Sequence, residues 1–252
     1  MSTAFRGVRA DARNEIERKI ASDDLAGLLT KTGEIHGHYC ISSSLGVMAA
    51  HHAMKELGIE RVEELGQVYA IVETNNCFSD GVQVVTGCTF GNKSLIYRDY
   101  GKTVLTLLKG DGKGIRVATK TKSGEALKNR NQEFVKLHHK VVTKSEGTDE
   151  DKEHLLELTK NHFFDVLSIP AEEIFNIERV EIDTPAKPSL NINSHVCTKC
   201  GEKVVVTKAV RKDEKMFCLP CAGAEYYQLD WSGISVGERE IGHYIMDNKK
   251  VD

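Results

Sequence analysis

Four cysteines near the carboxyl end restrict the fold of this chain more than any other sequence feature. Residues 197–221 read CTKCGEKVVVTKAVRKDEKMFCLPC, in which seventeen residues separate two Cys-x2-Cys pairs. Two such pairs supply the four thiolates of a tetrahedral structural Zn²⁺ site and leave no coordination position open. The sequence therefore predicts a small zinc-binding domain held by Cys197, Cys200, Cys218 and Cys221.

The residues between and after the two pairs indicate the kind of zinc domain. Residues 204–206 and the pair Met216–Phe217 flank a charged turn, a pattern that predicts a β-hairpin. The following segment, CAGAEYYQLDW, has helix potential and would place the second pair at a helix N-terminus. Knuckle, hairpin and helix in this order predict a treble-clef finger. A domain this small has little apolar core, so the metal would supply much of its folding free energy.

A segment poor in large apolar residues, TPAKPSLNINS at 184–194, contains two of the four prolines and predicts an interdomain linker. It separates a core domain, residues 1–185, from the zinc finger, residues 195–252. The order of helical and strand patterns before the linker predicts an α+β fold, a mixed helix and sheet core. The predicted helices lie at 11–31, 41–58 and 125–167, and the predicted strands lie at 67–74, within 94–119 and at 174–183. The segment SDGVQVVTG fits either a strand or a short helix capped by Ser79. Gly46, inside the second predicted helix, costs about 1 kcal/mol relative to alanine and predicts a close approach to another backbone.

Composition limits the function classes that need to be considered. The formal net charge of −3 gives no global field toward nucleic acid or a membrane surface, and the N-terminal residues lack the apolar stretch of a secretory signal. No apolar run reaches the ~20 residues that span a bilayer. The seven cysteines are odd in number and clustered, which favours metal ligation in a reducing compartment over disulfides. We expect a cytoplasmic protein that does not bind membranes.

A second group of ligand-type residues lies in EIHGHYC, where His36, His38 and Cys40 alternate. If this segment is extended, the three side chains share one face. Cys40 also precedes helix-forming sequence, and a helix N-terminus favours a thiolate. Each of the three residues fits an ordinary buried position equally well. Together, and with Gly37 allowing close approach, they predict a site that binds a soft metal or presents a nucleophilic thiol.

A third group follows the predicted buried strand at 67–74. Cys77 and Asp80 lie where the chain leaves this strand, and we expect them to complete a cleft with the histidine segment. The candidate catalytic residues are Cys40, His38, Cys77 and Asp80. The loop TGCTFGNK lacks the Gly-x4-Gly-Lys-Ser/Thr spacing of a P-loop, and the chain has no recognisable motif for a pterin, flavin or nicotinamide. A self-contained redox enzyme is therefore disfavoured.

Three segments of the sequence resemble the FmdE family, which takes its name from a component of formylmethanofuran dehydrogenase. They are HGHYC before a helix, then NNCFSDGVQVVTGCTFG, and then RDYGK. The resemblance implies an α+β core, a homodimer and a cleft at the histidine segment, with a treble-clef zinc domain in some members. It also implies association with molybdenum or tungsten formylmethanofuran dehydrogenase, which fixes CO₂ as a formyl group in methanogenesis. The residues that match the family motifs are His36, His38, Cys40, Cys77, Asp80, Gly87, Thr89, Gly91, Tyr100, Gly101 and Lys102.

One departure from the family pattern concerns the start of the helix after Cys40. The family usually continues with Pro-Gly, whereas ISSS follows here, so the geometry of this site can differ from that of its relatives. We expect an accessory or subunit-like protein with a structural Zn²⁺ ion and a second transition metal, or a reactive thiolate, at the histidine and cysteine cleft. Its partner would be the dehydrogenase complex or another oxidoreductase.

The alternative hypothesis is a regulatory or binding module whose finger contacts nucleic acid or a protein. Lys203, Lys208 and Arg211 make the finger locally basic, which is compatible with nucleic acid. Acidic residues are interspersed with them, however, and this pattern is typical of a solvated hairpin face. Nucleic acid is therefore the less favoured partner.

Overall fold

The computed structural model describes residues 12–60, 67–183 and 193–237. The chain divides into two compact units, Met1–Pro188 and Ser189–Asp252. Residues 184–192 of the predicted linker lie outside the described residues. In the described part of the chain, no helix combines the length and apolar character needed to cross a bilayer.

The first unit is built from a small sheet and from helices that, in sequence, precede its first strand or lie between its strands. Its helices are α1 (Asn14–Ala21), α2 (Leu25–His36), α3 (Ile41–Glu56), α4 (Cys77–Thr86), α5 (Ser123–Arg130), α6 (Gln132–His138), α7 (Asp149–Asp165) and α8 (Ala171–Ile174), with a π-helical turn at His139–Thr143. Its strands are β1 (Val68–Val72), β2 (Leu95–Tyr97), β3 (Val104–Lys109), β4 (Lys113–Thr119) and β5 (Phe175–Glu181). The fold class is α+β, as the sequence predicts.

The five strands form one sheet in the order β2-β1-β3-β4-β5. Strands β1 and β2 are parallel and are connected through α4, whereas the other neighbouring pairs are antiparallel. Strand β1 is buried along its whole length, which agrees with its continuous run of apolar residues. The residues that follow β1 lead directly into α4, so the edge of the sheet positions the start of that helix.

Helix α3 is the central helix of the core. Ala49, Ala50 and Ala53 are completely buried, and Met54 is 1% exposed. Because apolar residues cover most of its circumference, α3 has no solvated face of the kind seen on a surface helix. It packs against α2, α4 and the central strands, and its first turn is therefore held by the core of the unit.

Two glycines bring the backbones of α3 and α4 together. A Cβ atom on Gly46 would overlap the carbonyl oxygen of Phe78, and one on Gly81 would lie 2.7 Å from the carbonyl oxygen of Ser43. Glycine in a helix interior costs about 1 kcal/mol relative to alanine, and this close approach is the reason for it at position 46. The prediction that Gly46 faces another backbone is confirmed.

Within its described residues, 193–237, the second unit contains three small antiparallel hairpins, one α-helical turn and a 3-10 turn at Val206–Lys208. Its elements are β6 (Ser194–Val196), β7 (Lys203–Val205), β8 (Ala209–Lys212), β9 (Lys215–Cys218), α9 (Leu219–Ala222), β10 (Tyr226–Asp230) and β11 (Gly233–Gly237). The second cysteine pair begins a helix as predicted, but Gly223, at a φ of 63°, ends that helix after one turn. The prediction of helix for the remainder of CAGAEYYQLDW was wrong, because Tyr226–Asp230 pairs with β11 instead.

Candidate metal centre

The segment EIHGHYC is not extended. Helix α2 ends at His36, and Gly37 adopts the left-handed conformation that stops a helix, at a φ of 86°. The chain then runs through His38 and begins α3 after Cys40. The strand-like alternation considered from the sequence is therefore wrong. The three side chains meet because a helix end, a glycine turn and a helix start follow each other within five residues.

Cys40 is the N-cap of α3, and its thiol takes part in a reciprocal capping arrangement. Its Sγ accepts a hydrogen bond from the backbone N–H of Ser43 (3.4 Å), whose hydroxyl accepts from the backbone N–H of Cys40 (3.1 Å). The hydroxyls of Ser43 and Ser44 also donate to the carbonyl oxygen of Cys40. Ser43 and Ser44 therefore fix the backbone of this cysteine.

Cys77 is the first residue of α4. Asn76 caps this helix by accepting a hydrogen bond from the backbone N–H of Phe78, and its Oδ1 also accepts from the hydroxyl of Ser42 at 3.3 Å. The capped starts of α3 and α4 are thus joined by a side-chain contact. The N-terminal ends of two helices carry positive partial charge, which stabilises thiolates and anions placed there.

Four side chains converge at this point. The ligand atoms of His36, His38, Cys40 and Cys77 all lie within 4.8 Å of one another. His38 is exposed, and the other three are partly buried, so the cluster lies at the surface with one open side. Two imidazole nitrogens and two sulfurs form a donor set that suits Zn²⁺ and other soft or borderline transition metals.

Asp80 contacts the cluster from outside rather than joining it. His36 Nδ1 lies 2.7 Å from Asp80 Oδ2, and Asp80 Oδ1 accepts a hydrogen bond from Gln83 Nε2 at 3.1 Å. Because a carboxylate oxygen only accepts, the imidazole proton lies on Nδ1. His36 Nε2 is then left with its lone pair, and this atom is buried without a hydrogen-bond partner. Such an arrangement presents Nε2 as a metal ligand and fixes its tautomer.

Cys40 affects the protonation of Cys77. Burial and the adjacent Cys40 raise the pKa of the Cys77 thiol above its ordinary value. Two neighbouring thiolates repel each other in the absence of a cation, and a bound metal removes that penalty by deprotonating its ligands. The electrostatics of the pair therefore favour a metal over two free thiolates.

The four-cysteine cluster in the second unit has the same compactness. The sulfurs of Cys197, Cys200, Cys218 and Cys221 lie within 4.8 Å of one another, with Cys200 and Cys218 at 3.9 Å. Burial and the surrounding thiols raise the pKa of Cys221 to about 12. The four cysteines can hold a metal ion, and full ionisation of the cluster requires the positive charge that such an ion supplies.

The other motif residues occupy two different places. Gly87 and Thr89 line a cavity of 360 Å³ beside Asp80. Among the described residues, its lining consists of Arg13, Ile16, Lys31, Glu34, Ile35, Asp80, Gln83, Val84, Gly87 and Thr89. Tyr100, Gly101 and Lys102 form an exposed turn between β2 and β3, with Lys102 Nζ 5.8 Å from the centre of the Tyr100 ring. Among the described contacts, none joins this turn to the four donor atoms, and Gly91 is likewise exposed and separate from them.

Two supporting residues were not identified from the sequence. Asn76 caps α4, and Gln83 holds Asp80. An asparagine directly before a helix is a recognisable N-cap, so Asn76 could have been found once 77–86 was assigned as a helix. Gln83 lies one turn after Asp80, and no sequence signal separates it from a solvated glutamine.

A family comparison agrees with this architecture. The sequence pattern described as FmdE, molybdenum formylmethanofuran dehydrogenase operon, matches residues 35–176. The chain belongs to the FmdE family. The match begins immediately before His36 and includes Cys40, Cys77 and Asp80, so it contains the whole candidate centre of this FmdE protein.

Two individual proteins extend the comparison. A protein of Archaeoglobus fulgidus named "Probable S-adenosyl-L-methionine-binding protein" is 41% identical over 225 residues, which are 88% of this chain and 59% of that protein. The FmdE chain thus spans about three-fifths of that relative's length. The crystal structure of a tungsten formylmethanofuran dehydrogenase FmdE-like protein from Syntrophus aciditrophicus matches with a TM-score of 0.52 and 23% identity, over 79% of this chain and 92% of that one. This likeness shows a shared fold.

Proposed function

We propose that this chain is an FmdE-type accessory protein that holds a transition metal on His36, His38, Cys40 and Cys77. The observation that carries the proposal is the convergence of four nitrogen and sulfur donors within 4.8 Å. The capped starts of two packed helices hold both cysteines, and an aspartate orients one histidine. A reactive thiolate at Cys77 without metal is less well supported, because burial and the neighbouring sulfur both raise the pKa of this thiol.

The four cysteines of the second unit are proposed to hold a structural Zn²⁺ ion. Four sulfur donors in two Cys-x2-Cys pairs favour zinc among the common divalent metals and leave no position for a substrate. The two clusters would therefore have different roles: one stabilises a small domain, and the other offers mixed nitrogen and sulfur ligation at the surface of the core unit.

The proposed partner is a molybdenum or tungsten formylmethanofuran dehydrogenase complex, or another oxidoreductase. The family description and the name of the Syntrophus protein support this choice. We further propose a cytoplasmic homodimer. Co-purification of the tagged full chain from its native cells, followed by mass spectrometry, tests the partner. Recovery of the tagged chain without any component of an oxidoreductase would contradict the accessory role.

Metal analysis tests the centre itself. We expect two metal ions per chain in the wild-type protein, one for each cluster, and one ion per chain in the Cys40→Ala variant. Cys88→Ala is the matched control, because Cys88 is a buried cysteine outside both clusters. It should keep both ions. A wild-type chain that binds a single ion, and keeps it in Cys40→Ala, would refute the metal centre.

S-adenosyl-L-methionine is a second candidate ligand, favoured by the name of the Archaeoglobus relative. The cavity beside Asp80 measures 360 Å³ and falls within the size range of small-molecule sites. Isothermal titration with S-adenosyl-L-methionine should show binding that weakens in Ile35→Glu. Ile35 lines the cavity and is 73% exposed, and the exposed Leu156 permits a matched Leu156→Glu control. No heat of binding to the wild-type chain would exclude this candidate.

A further inference from the structure

The four donors of the candidate centre are not held equally. His36 is fixed through Nδ1 by Asp80, which Gln83 holds in turn, and the side chain of His36 is 14% exposed. Cys40 is fixed by the reciprocal cap with Ser43. These contacts exist independently of any metal, so the positions of His36 and Cys40 are set by the fold.

Cys77 is also part of the rigid framework. It is the first residue of α4, whose preceding residue Asn76 caps the helix and contacts Ser42. Close packing of Gly46 on the carbonyl oxygen of Phe78 fixes the same turn of α4 against α3. Cys77 could leave the centre only by a rotation of its short side chain or by a shift of a buried helix.

His38 is held by none of these devices. It lies in the short connection between α2 and α3, next to Gly37, around which a Cβ atom would meet nothing within 4 Å. Its imidazole is exposed and contacts the ring of His36 in a tilted arrangement, with the ring centres 4.2 Å apart and the ring planes at 42°. In the described part of the chain, no hydrogen bond or ion pair restrains it. Among the described residues, rotation of His38 toward solvent would break no hydrogen bond or ion pair, but only the ring contact and the bond to a metal.

We propose that His38 is an exchangeable ligand, and that its departure opens the centre to an external thiolate or imidazole donor. This proposal rests on the metal centre proposed above and adds the way in which an external ligand reaches the metal. Three anchored protein ligands with one open position are typical of reactive zinc sites, whereas four fixed ligands are typical of structural ones. Ligand exchange here consists of breaking the bond from His38 and forming one bond from the incoming donor, with no change in oxidation state.

Cobalt-loaded full-length protein permits a direct test, because Co²⁺ takes the place of Zn²⁺ and its absorption bands report the ligands. The four-cysteine cluster contributes a constant signal, which is removed by subtracting the spectrum of Cys40→Ala. We expect His38→Ala to retain cobalt at the centre, with a dissociation constant raised by no more than about tenfold, the cost of replacing one surface ligand by water. Added imidazole should restore the wild-type difference spectrum.

His36→Ala is the contrasting variant, since it removes an anchored ligand, and we expect it to lose the cobalt of the centre. His139→Ala removes an exposed histidine outside the cluster and should behave as wild type. Loss of cobalt from His38→Ala to the same extent as from His36→Ala would overturn the exchangeable role. So would a His38→Ala spectrum that neither imidazole nor a small thiol changes. A wild-type difference spectrum without cobalt bands would instead overturn the centre itself, and the two failures are distinguishable.

Discussion

Replacing Asp80 by asparagine tests whether the carboxylate prepares His36 for metal binding. Asp80 Oδ2 lies 2.7 Å from His36 Nδ1, and the lone pair of His36 Nε2 is directed into the cluster as a result. The amide of asparagine can present its NH₂ group to Nδ1, which moves the imidazole proton to Nε2 and blocks coordination. The substitution therefore removes a charge and also permits the wrong tautomer.

The size of the effect follows from the surroundings of this pair. Loss of an outer partner of a ligating histidine typically weakens metal affinity by about 10–100-fold. The side chain of Asp80 is 32% exposed, so water screens part of its charge, and we expect a value nearer to tenfold, or about 1.4 kcal/mol. The free energy of unfolding of the metal-free protein should change much less, because Gln83 can still donate to the amide oxygen.

Competition with a chromogenic zinc chelator measures this change in full-length protein, with Cys40→Ala supplying the contribution of the four-cysteine cluster. Asp149→Asn is the control, since its side chain is 95% exposed and lies in α7 outside the donor cluster. An affinity of Asp80→Asn within about twofold of wild type would refute the proposed orienting role. An equal loss in both aspartate variants would show that the effect is one of net charge.

Three further predictions concern the framework of the centre, the pH response of the core and the second unit. Gly46→Ala should lower the free energy of unfolding, measured by urea denaturation, by at least about 1–3 kcal/mol, because overlap of the new Cβ with the backbone outweighs the gain in helix propensity. A variant more stable than the wild type would contradict the close contact. Burial lowers the pKa of His162; the charge of His138 lowers it further, and the charge of Asp165 raises it. Unfolding below about pH 6.5 therefore takes up a proton, so the free energy of unfolding should fall as the pH drops below this value. The same slope of melting temperature against pH in His162→Phe would refute this. Cys218→Ser should make residues 193–237 sensitive to proteolysis while the circular dichroism of the core persists, because structural zinc contributes about 10–16 kcal/mol to the folding of such domains. Unchanged resistance of these residues to proteolysis would argue against a structural metal.

Local sequence signals were sufficient for most elements of the core. The continuous apolar run at 67–74 predicted β1, and Gly46 within a helical pattern predicted a close backbone contact. The segment at 79–87 stayed ambiguous because Val82, Val84 and Val85 fit both the helical and the strand periodicity. In the structure it is part of a helix, which Asn76 caps and which packs against α3. In the finger, cross-strand pairs such as Leu229 with Ile234 prevail over local helix potential.

The sequence indicated candidate residues for this centre but not their arrangement. His36, His38 and Cys40 were proposed from their spacing, although the extended conformation considered for them does not occur. The alternation coincides with a helix end, a glycine and a helix start, each of which is locally encoded. The convergence with Cys77 could not be read from spacing, because it depends on how α4 packs against α3.

That packing also explains why the side chains of the candidate centre differ in how firmly the fold restrains them. A cysteine at the start of a helix is positioned by the whole helix, and the contact of Gly46 with the backbone of α4 fixes two such starts relative to each other. The connection between α2 and α3 turns at Gly37 and lies outside the contact between α3 and α4. The side chain of His38 in this connection therefore remains exposed. The same local structure that brings His38 to the sulfurs therefore leaves it free to rotate. A substitution that rigidifies the connection, such as Gly37→Asn, which tolerates the left-handed conformation, should accordingly slow ligand exchange at a cobalt-loaded centre without reducing its metal content.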